Sequence, residues 1–349
     1  MRSFSWARPN SLEDAAAARP DTVANAMVAH AGARLASVDI LRAGGLDLLD
    51  LVKEDLLAPA RLVDLRKIPG LDIIAGSDAD GLSIGALTTL AAIESHPFII
   101  SRYRMLAQAA SGVGSPQIRN ISTLGGNLLQ RPRCWYFRSK YHHCLKKGGG
   151  HCFAIPGENQ YHAIFENRVC AITHPSSVAT ALVALGAMVE LWSAGGFRRR
   201  IMLEHFFIAP EQDPYRENDL KPHEILTAVC LPALPASMRM SYLKLGDRNS
   251  FDWPLADVGV LLDSNPDERC RSAVIVLGAA GPVPHRASAA EQVLIGRCID
   301  EKGARDAGDA AMQGATPLAK NAYKMPLFKA LVSRAILTAA ETGQGTPLI

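Results

Sequence analysis

Hydrophobic and polar positions along this 349-residue chain alternate between short strand-like runs and longer helix-like runs. Apolar residues at successive or alternate positions predict strands over Ala33–Ile40, Arg61–Leu65, Gly81–Gly85, Met188–Trp192, Met240–Leu245, Ala256–Leu262 and Ala273–Gly278. Apolar residues every three to four positions predict helices over Leu48–Asp55, Thr88–His96, Ile99–Ala110, Ser177–Gly186, Ala287–Ile295 and Pro326–Thr342. This mixture of strands and helices predicts an α+β fold.

Breaks in this pattern divide the chain into units. A hairpin turn is predicted at Ala194-Gly-Gly196, and residues from about 130 to 172 show little periodicity. A loop of that length is normally functional or ordered by a cofactor. The polar, proline-bearing segments Pro210–Pro222 and Pro232–Pro235 indicate a boundary. We therefore expect a first domain over residues 1–228, with subdomains of about 1–60 and 61–228, and a second domain over 229–349.

The composition excludes several classes of protein. A net charge of +3 is small for this length and argues against a nucleic-acid binder. The longest apolar runs, such as Ala181–Leu191, are too short to span a bilayer. The first ten residues hold no apolar segment typical of a secretory signal, so we expect a cytoplasmic chain unless a signal-bearing partner carries it to the periplasm. Seven cysteines, an odd number, fit reduced thiols and metal ligands better than a disulfide framework.

Two glycine pairs in the first half indicate a binding site. Ala43-Gly-Gly-Leu-Asp47 follows a predicted strand and opens a helix, whereas Thr123-Leu-Gly-Gly-Asn127 is predicted to be a second glycine turn that adds a hydroxyl and an amide side chain. Glycine lets backbone N–H groups approach an anion closely, and a helix N-terminus adds partial positive charge. Neither pair fits the G-x-G-x-x-G or P-loop pattern, and a single pair such as Gly195-Gly196 is an ordinary turn. Two pairs with polar flanks favour a paired cradle for a diphosphate.

Four cysteines fall within the weakly periodic stretch that follows the second glycine pair: Cys134, Cys144, Cys152 and Cys170. Four thiolates on one loop suit a [4Fe-4S] cluster, and the absence of Cys-x2-Cys pairs argues against zinc ribbons and bacterial ferredoxin runs. Zinc remains the alternative, with the cysteines joined by loop histidines: His142, His143, His151 or His162. The other cysteines are predicted to be structural thiols in apolar strands or helices: Cys230, Cys270 and Cys298.

The charged residues around these cysteines are all basic. No Asp or Glu lies between Asn120 and Gly157, where the cations are Arg131, Arg133, Arg138, Lys140, Lys146 and Lys147. A cluster held by four thiolates is anionic, so nearby cations stabilise it and raise its reduction potential. One interpretation is therefore a basic shell that tunes a cluster or docks an acidic partner. The other is a solvated basic loop. Trp135 and Tyr136 either shield a cluster from water or pack the loop.

The two glycine motifs resemble the paired FAD diphosphate loops of the flavin subunits of molybdenum hydroxylases, the xanthine dehydrogenase, carbon monoxide dehydrogenase and aldehyde oxidoreductase family. The resemblance runs over nearly the whole chain and includes Ile84-Gly-Ala86, Ile118-Arg-Asn120, Leu128-Leu-Gln130, Leu185-Gly-Ala187, Tyr242-Leu-Lys244, Arg248 and Ala256-Asp-Val258. Gln130-Arg-Pro-Arg-Cys134 and Ala171-Ile-Thr-His-Pro-Ser176 are similar in particular to the [4Fe-4S]-containing flavin subunit of three-subunit, periplasmic-type aldehyde oxidoreductases.

The resemblance implies a fold and a set of binding residues. The fold is a two-subdomain FAD-binding domain of the vanillyl-alcohol-oxidase (PCMH) type with an inserted iron–sulfur loop, plus a C-terminal α+β domain. The implied FAD-binding residues are Ala43, Gly44, Gly45, Leu46, Asp47, Leu48, Ile118, Thr123, Gly125, Gly126, Asn127, Ser177 and Lys244. The implied ligands of the [4Fe-4S] cluster are Cys134, Cys144, Cys152 and Cys170.

Two of the implied flavin residues carry open interpretations. A lysine at position 244 lies near the isoalloxazine in relatives, where it would stabilise reduced, anionic flavin, whereas without the resemblance Lys244 and Arg248 are ordinary charges at a strand edge. Ser177 stands where many relatives have an Asp that serves the adenosine end of FAD, so the adenosine contacts stay open.

The implied function is that of an electron-transfer subunit with no catalytic residues of its own. Its partners would be a large molybdenum-cofactor subunit, a small [2Fe-2S] subunit and an external electron acceptor. No nucleophile elbow, paired catalytic carboxylates or molybdenum-cofactor motif is present in the sequence, and its histidines outside the loop lack a catalytic partner at a recognisable spacing. A self-contained FAD oxidoreductase and a zinc-stapled interaction subunit are the alternatives.

Overall fold

The computed structural model describes residues 2–32, 38–248, 250–265 and 269–341. Strands in these ranges form three sheets, one in each of three successive segments of the chain. Helices connect and cover them, so the α+β class predicted from the sequence is confirmed. In the same ranges no helix combines the length and the apolarity needed to cross a membrane.

The first sheet is parallel and lies near the start of the chain. Its strands are β1 (Ser5–Ala7), β2 (Asp39–Arg42) and β3 (Arg61–Asp64), in the order β1-β3-β2. Because parallel strands need crossover connections, helices separate them: α1 (Leu12–Ala17), α2 (Val23–Ala31) and α3 (Leu46–Lys53). Because β3 is the central strand, this sheet extends beyond residue 60, the expected end of the first subdomain.

The second sheet is antiparallel, in the order β4-β5-β8-β6-β7. Its strands are β4 (Ile74–Ser77), β5 (Gly81–Gly85), β6 (Met188–Ser193), β7 (Phe197–Met202) and β8 (Ile225–Leu231). Its helices are α4 (Leu90–Ser95), α5 (Pro97–Arg102), α6 (Arg104–Ser111), α7 (Pro116–Arg119), α8 (Leu124–Leu128), α9 (Trp135–Arg138), α10 (Ser177–Ala184) and α11 (Leu203–Phe206). Strand β8 runs across the expected domain limit at 228/229, and that limit stays a prediction.

The third sheet is antiparallel and belongs to the C-terminal segment, in the order β12-β11-β10-β9. Its strands are β9 (Arg239–Leu245), β10 (Ala256–Ser264), β11 (Cys270–Gly278) and β12 (His285–Arg286). Helices α12 (Ser288–Leu294), α13 (Glu301–Ala310) and α14 (Lys324–Glu341) pack on it. The apolar faces of β10 and β11 and of α14 form one buried core there.

Most predicted elements are present, with limits shifted by a few residues, and two predictions are wrong. The single helix expected over Ile99–Ala110 is broken at Tyr103, where α5 ends and α6 begins. The second glycine pair is not a turn but lies inside the short helix α8. Strand β2 begins at Asp39, and residues 33–37 of the predicted Ala33–Ile40 strand lie outside the described residues, as does Thr342 of the last predicted helix.

The cysteine stretch lies between α8 and α10 and contacts all three segments. Phe137 and Cys144 join a buried apolar cluster with α2 and α3. At its far end the stretch pairs with the C-terminal segment, where the N–H of Ile164 donates to the carbonyl of Ala280 at 2.8 Å. Asn321 donates from its side-chain amide to the carbonyls of His162 and Ala163, both at 3.0 Å. The loop is therefore packed into the fold.

Candidate functional site

A cavity of about 500 Å³ runs between the three segments of the chain. Its size is within the range of small-molecule and cofactor sites. The walls include each of the residues implied as FAD ligands: Ala43, Gly44, Gly45, Leu46, Asp47, Leu48, Ile118, Thr123, Gly125, Gly126, Asn127, Ser177 and Lys244. Residues from distant parts of the sequence thus share one cavity.

The first glycine pair forms the entry to α3. Gly45 is the N-cap residue of this helix and has a φ of +85°, a conformation that favours glycine. A Cβ atom on Gly44 would lie 2.2 Å from the carbonyl oxygen of Ile121, so only glycine allows this close approach. The backbone before Thr123 therefore lies directly against the first pair. The two motifs form one surface, as the paired-cradle interpretation requires.

The second glycine pair is held by side-chain caps. The hydroxyl of Thr123 accepts from the N–H of Gly126 at 3.2 Å and caps α8. Ser176 donates from its hydroxyl to the Asn127 side-chain oxygen at 2.5 Å, which fixes the amide of Asn127 in the wall. A Cβ atom on Gly125 would lie 3.0 Å from that of Ala86, so α8 packs tightly on the second sheet. The backbone N–H groups of Leu124 and Gly125 donate to the carbonyls of Thr88 at 2.9 Å and Ala86 at 2.8 Å, so the start of α8 is held rigidly in the cavity wall.

Asp47 contacts the cysteine loop, which sequence reasoning did not reveal. Its carboxylate accepts from the N–H of Arg131 at 2.9 Å and from the guanidinium groups of Arg133 at 2.8 Å and Arg138 at 2.6 Å. Asp50, one helical turn later, accepts from Arg138 at 3.0 Å. The helix that starts at the first glycine pair is therefore tied directly to the segment that contains Cys134.

A buried ion network anchors the same loop on its other side. Glu217 forms ion pairs with Arg131 at 3.0 Å and with Lys146 at 2.8 Å, and all three side chains are almost fully buried. Burial lowers the pKa of Arg131, and the carboxylate of Glu217 opposes that change. Glu217 lies within the polar Pro210–Pro222 segment, which the sequence marked only as a boundary.

Ser177 and Lys244 lie at the same part of the cavity. Lys244 donates from Nζ to the carbonyls of Gly112 at 2.8 Å and Asp252 at 2.7 Å, and burial lowers its pKa. Asp257 pairs with Lys244 across β9 and β10 and accepts from the hydroxyl of Ser177 at 3.1 Å. Lys244 is thus a cavity residue whose charge is held in place. Arg248 is not among the described residues that line the cavity.

Aromatic side chains near the cavity mouth were not identified from the sequence. Phe251 and Trp253 line the cavity and are 65% and 48% exposed. The guanidinium of Arg133 lies 4.5 Å from the ring centroid of Trp253, a cation–π contact. Isolated aromatic residues in a polar loop carry no signal in sequence, because only the fold brings the loop to the mouth.

The four loop cysteines are brought near one another. Cys134 lies within electrostatic range of Cys144 and Cys152, and the thiol of Cys170 is hydrogen-bonded to Cys152. Burial raises the pKa of the Cys134 thiol to about 12 and also raises that of Cys144. The hydrogen bond between the last two cysteines lowers the pKa of Cys152 and raises that of Cys170. Cys230 lies in β8 and Cys270 in β11, whereas Cys298 lies after α12 and is exposed, so the prediction of a structural thiol in an apolar element is wrong for Cys298.

Backbone N–H groups interact with each of these sulfurs, a single one at Cys170 and two or three at each of the others. They belong to Tyr136 and Phe137 at Cys134, to Lys146 and Lys147 at Cys144, to Ala154, Ile155 and Ala171 at Cys152, and to Ile172 at Cys170. Such bonds favour the thiolate over the thiol, and hydrogen bonds to sulfur tune iron–sulfur clusters. These donors oppose the rise in thiol pKa that burial causes at Cys134 and Cys144.

Within the described ranges, no three Cys, His, Asp or Glu side chains converge tightly enough to ligate one metal ion. His162 is a loop histidine in contact with a predicted ligand, with Nε2 3.2 Å from the sulfur of Cys134. Burial lowers the pKa of His162 to about 4, so its ring is neutral near pH 7. The ring of Trp135 packs edge-on against that of His162 and covers this side of the loop.

The solvated-loop interpretation is wrong for two of the lysines. Lys146 and Lys147 are 1% and 4% exposed. Lys147 donates from Nζ to the carbonyl of Ser139 at 2.6 Å, and it lies within electrostatic range of Cys144 and Cys134. Lys140, by contrast, is exposed. Two buried lysines therefore lie on the thiol-bearing loop, together with the buried Arg131.

The fold and the cavity together define a flavin-binding oxidoreductase subunit, and comparison with known proteins gives the family. Residues 2–234 match the FAD binding domain in molybdopterin dehydrogenase, and residues 241–339 match the CO dehydrogenase flavoprotein C-terminal domain. The chain belongs to the family of FAD-binding medium subunits of molybdenum hydroxylases. The identification made from the two glycine motifs is confirmed.

Among curated proteins, the chain is 36% identical over 289 residues to the aldehyde oxidoreductase FAD-binding subunit PaoB of Escherichia coli strain K12, covering 82% of this chain and 87% of the relative. It is 29% identical to the nicotinate dehydrogenase FAD-subunit of Eubacterium barkeri, covering 73% and 71%. Among solved structures, quinoline 2-oxidoreductase from Pseudomonas putida 86 superposes with a TM-score of 0.71 at 25% identity, covering 97% of this chain and 98% of that one.

Proposed function

We propose that this chain is the FAD and [4Fe-4S] electron-transfer subunit of a molybdenum-containing hydroxylase complex. In that complex a large subunit with the molybdenum cofactor oxidises the substrate. A small subunit with [2Fe-2S] clusters supplies electrons to the FAD held here, and an external acceptor receives them. A flavin suits this position because it accepts electrons singly and delivers them singly or in pairs. The chain itself binds, orients and tunes the cofactors.

The observation that carries the proposal is the attachment of the cysteine loop to the cavity wall at Asp47. Asp47 lines the cavity and holds Arg133, which directly precedes Cys134, and Arg138, which follows Cys134 at the end of α9. A cluster held by this loop would therefore lie beside the cavity. A zinc site that only stabilised the fold would not need to contact a cofactor-binding element.

The surroundings of the thiols support a cluster over a plain structural site. At least one backbone N–H group interacts with each of the four sulfurs, and the buried ammonium groups of Lys146 and Lys147 lie close to Cys170 and Cys144. These groups compensate the negative charge that four thiolates would bring into the interior. The identity to the E. coli aldehyde oxidoreductase subunit favours an aldehyde as the substrate of the complex.

Single replacements of the cysteines test the proposal. Serine at position 134, 144, 152 or 170 is expected to abolish or sharply reduce iron and acid-labile sulfide in the purified complex, with flavin retained. Cys298→Ser is the control, because Cys298 is exposed and lies outside the loop. Zinc without iron in the unaltered complex would favour the interaction subunit. Substrate turnover by the isolated chain would favour the self-contained oxidoreductase.

A further inference from the structure

A carboxylate, that of Asp257, is buried directly behind the cavity wall. Its side chain is 1% exposed and lies on β10, an inner strand of the C-terminal sheet. Three hydroxyl groups donate to the carboxylate: Thr180 at 2.9 Å, Tyr242 at 3.0 Å and Ser177 at 3.1 Å. A buried carboxylate with this many donors is held in one position.

Ser177 connects this carboxylate to the cavity. Of the three donors it is the one that lines the cavity wall, while Thr180 and Tyr242 donate to Asp257 from behind it. Because the hydroxyl of Ser177 donates to Asp257, its oxygen lone pairs are left for a group inside the cavity. The charge of Asp257 therefore reaches the cavity through the Ser177 hydroxyl, beside the cavity residue Lys244 that pairs with Asp257.

The other charged and titratable groups around Asp257 lie on two of the elements packed against it. Lys244 and Tyr242 lie on β9, Lys324 lies on α14, and α10 and β11 contribute uncharged groups at this position. Lys324 is fully buried, with Nζ bonded to the carbonyl of Ala279 at 2.6 Å, and burial lowers its pKa to about 7. Burial likewise raises the pKa of Asp257 to about 6, although the three hydroxyl donors oppose the rise.

We propose that Asp257 is a positioning residue that takes up a proton when the flavin in the cavity is reduced. Electrons from an external reductant or from the partner clusters add negative charge to the cavity. One proton from bulk water then forms an O–H bond on the Asp257 carboxylate, and its negative charge disappears. Through the hydroxyl of Ser177, the loss of that charge offsets the charge gained by the flavin. The inference rests on the proposed flavin binding and not on the cysteine site.

The test is the pH dependence of the flavin midpoint potential in the intact complex, measured with redox mediators for the unaltered protein and for Asp257→Asn. Below about pH 5 the carboxyl is protonated in both redox states, so the two proteins are expected to have the same potential. Above about pH 7 the variant is expected to have the more positive potential, because it lacks the negative charge. A constant difference at every pH, or none, would overturn the inference.

Two further variants separate this effect from a structural one. Asp263→Asn is the matched control, since Asp263 is a buried carboxylate on the same strand but is paired with Arg271. It is expected to leave the pH profile unchanged. Because the unaltered protein takes up a proton on reduction, its flavin potential is expected to fall more steeply with pH than that of the Asp257 variant. Ser177→Ala keeps Asp257 and is expected to make this steeper segment of the profile shallower. That steeper segment, which begins near pH 6, tests the inference even when a variant does not fold. A complex without flavin would instead overturn flavin binding itself.

Discussion

The carboxylate of Asp47 accepts a hydrogen bond from the backbone N–H of Arg131 at 2.9 Å. The two residues lie 84 positions apart in the sequence, and they join the helix after the first glycine pair to the start of the cysteine loop. The guanidinium groups of Arg133 and Arg138 bind the same carboxylate. The wall of the flavin cavity and the cysteine loop are therefore one connected structure.

Replacing Asp47 by Asn is expected to loosen the cysteine loop. The change weakens charge-assisted hydrogen bonds to two arginines, and we expect the free energy of unfolding to fall by about 2 kcal/mol. Iron and sulfide content should fall with it, as measured by metal analysis of the purified complex. Asp50→Asn is the control, because Asp50 is half exposed and binds Arg138 alone, so its loss should cost less than about 1 kcal/mol. Equal losses in both variants would contradict this interpretation.

Replacing Gly44 by Ala is expected to weaken flavin binding. The new Cβ atom would lie 2.2 Å from the carbonyl oxygen of Ile121, so the two glycine motifs would have to move apart. We expect at least a tenfold loss in FAD affinity, about 1.4 kcal/mol, measured by flavin titration of the apoprotein. Gly150→Ala is the control, since a Cβ atom there meets nothing within 4 Å. Unchanged affinity for the Gly44 variant would argue against the paired cradle.

Replacing Lys147 by Gln is expected to lower the reduction potential of the cluster. Lys147 is buried and its charge lies close to Cys144 and Cys134, so its removal disfavours the added electron. Lys140→Gln makes the same change in net charge at an exposed position of the same loop. Potentiometric titration followed by electron paramagnetic resonance should show a larger downward shift for the Lys147 variant. Equal shifts in the two variants would mean that the basic residues act only through the net charge of the loop.

The stability of the chain is expected to fall in mild acid because of His174. Burial lowers the pKa of this histidine to about 3, and its ring packs on Phe207 at 4.3 Å between centroids. Below about pH 6.5 the unfolded chain binds a proton that the folded chain does not, so unfolding becomes easier by up to about 1.4 kcal/mol per pH unit. In urea denaturation, His174→Gln should show a shallower pH dependence. His205→Gln, at an exposed position, should retain the slope of the unaltered chain.

Local signals in the sequence were enough to locate both glycine motifs, the cysteine loop and most strands of the C-terminal sheet. Gly-Gly pairs and cysteine spacing carry such signals because the chemistry needs those residue types. The break at Tyr103 was missed, because its helical periodicity continues across it while tertiary packing decides the break.

Contacts between distant residues could not be predicted. Asp47 was expected to serve the cofactor alone, and its partners Arg131 and Arg138 lie 84 and 91 positions away. Glu217 pairs with Lys146, which lies too far away in the sequence for a local pattern to predict the contact. Lys146 is buried because of that network. The sequence alone therefore could not distinguish a basic shell around the cysteines from a solvated basic loop.

Analysis of flavin, iron, acid-labile sulfide and zinc in the intact complex tests the central claim most directly. We predict FAD bound to this chain, together with iron and sulfide in equal amounts, about four of each per chain beyond those of the small subunit, and no zinc. These amounts should be lost together in the Cys134→Ser variant while FAD is retained. Flavin without iron and sulfide in this chain, or zinc in their place, would contradict the claim.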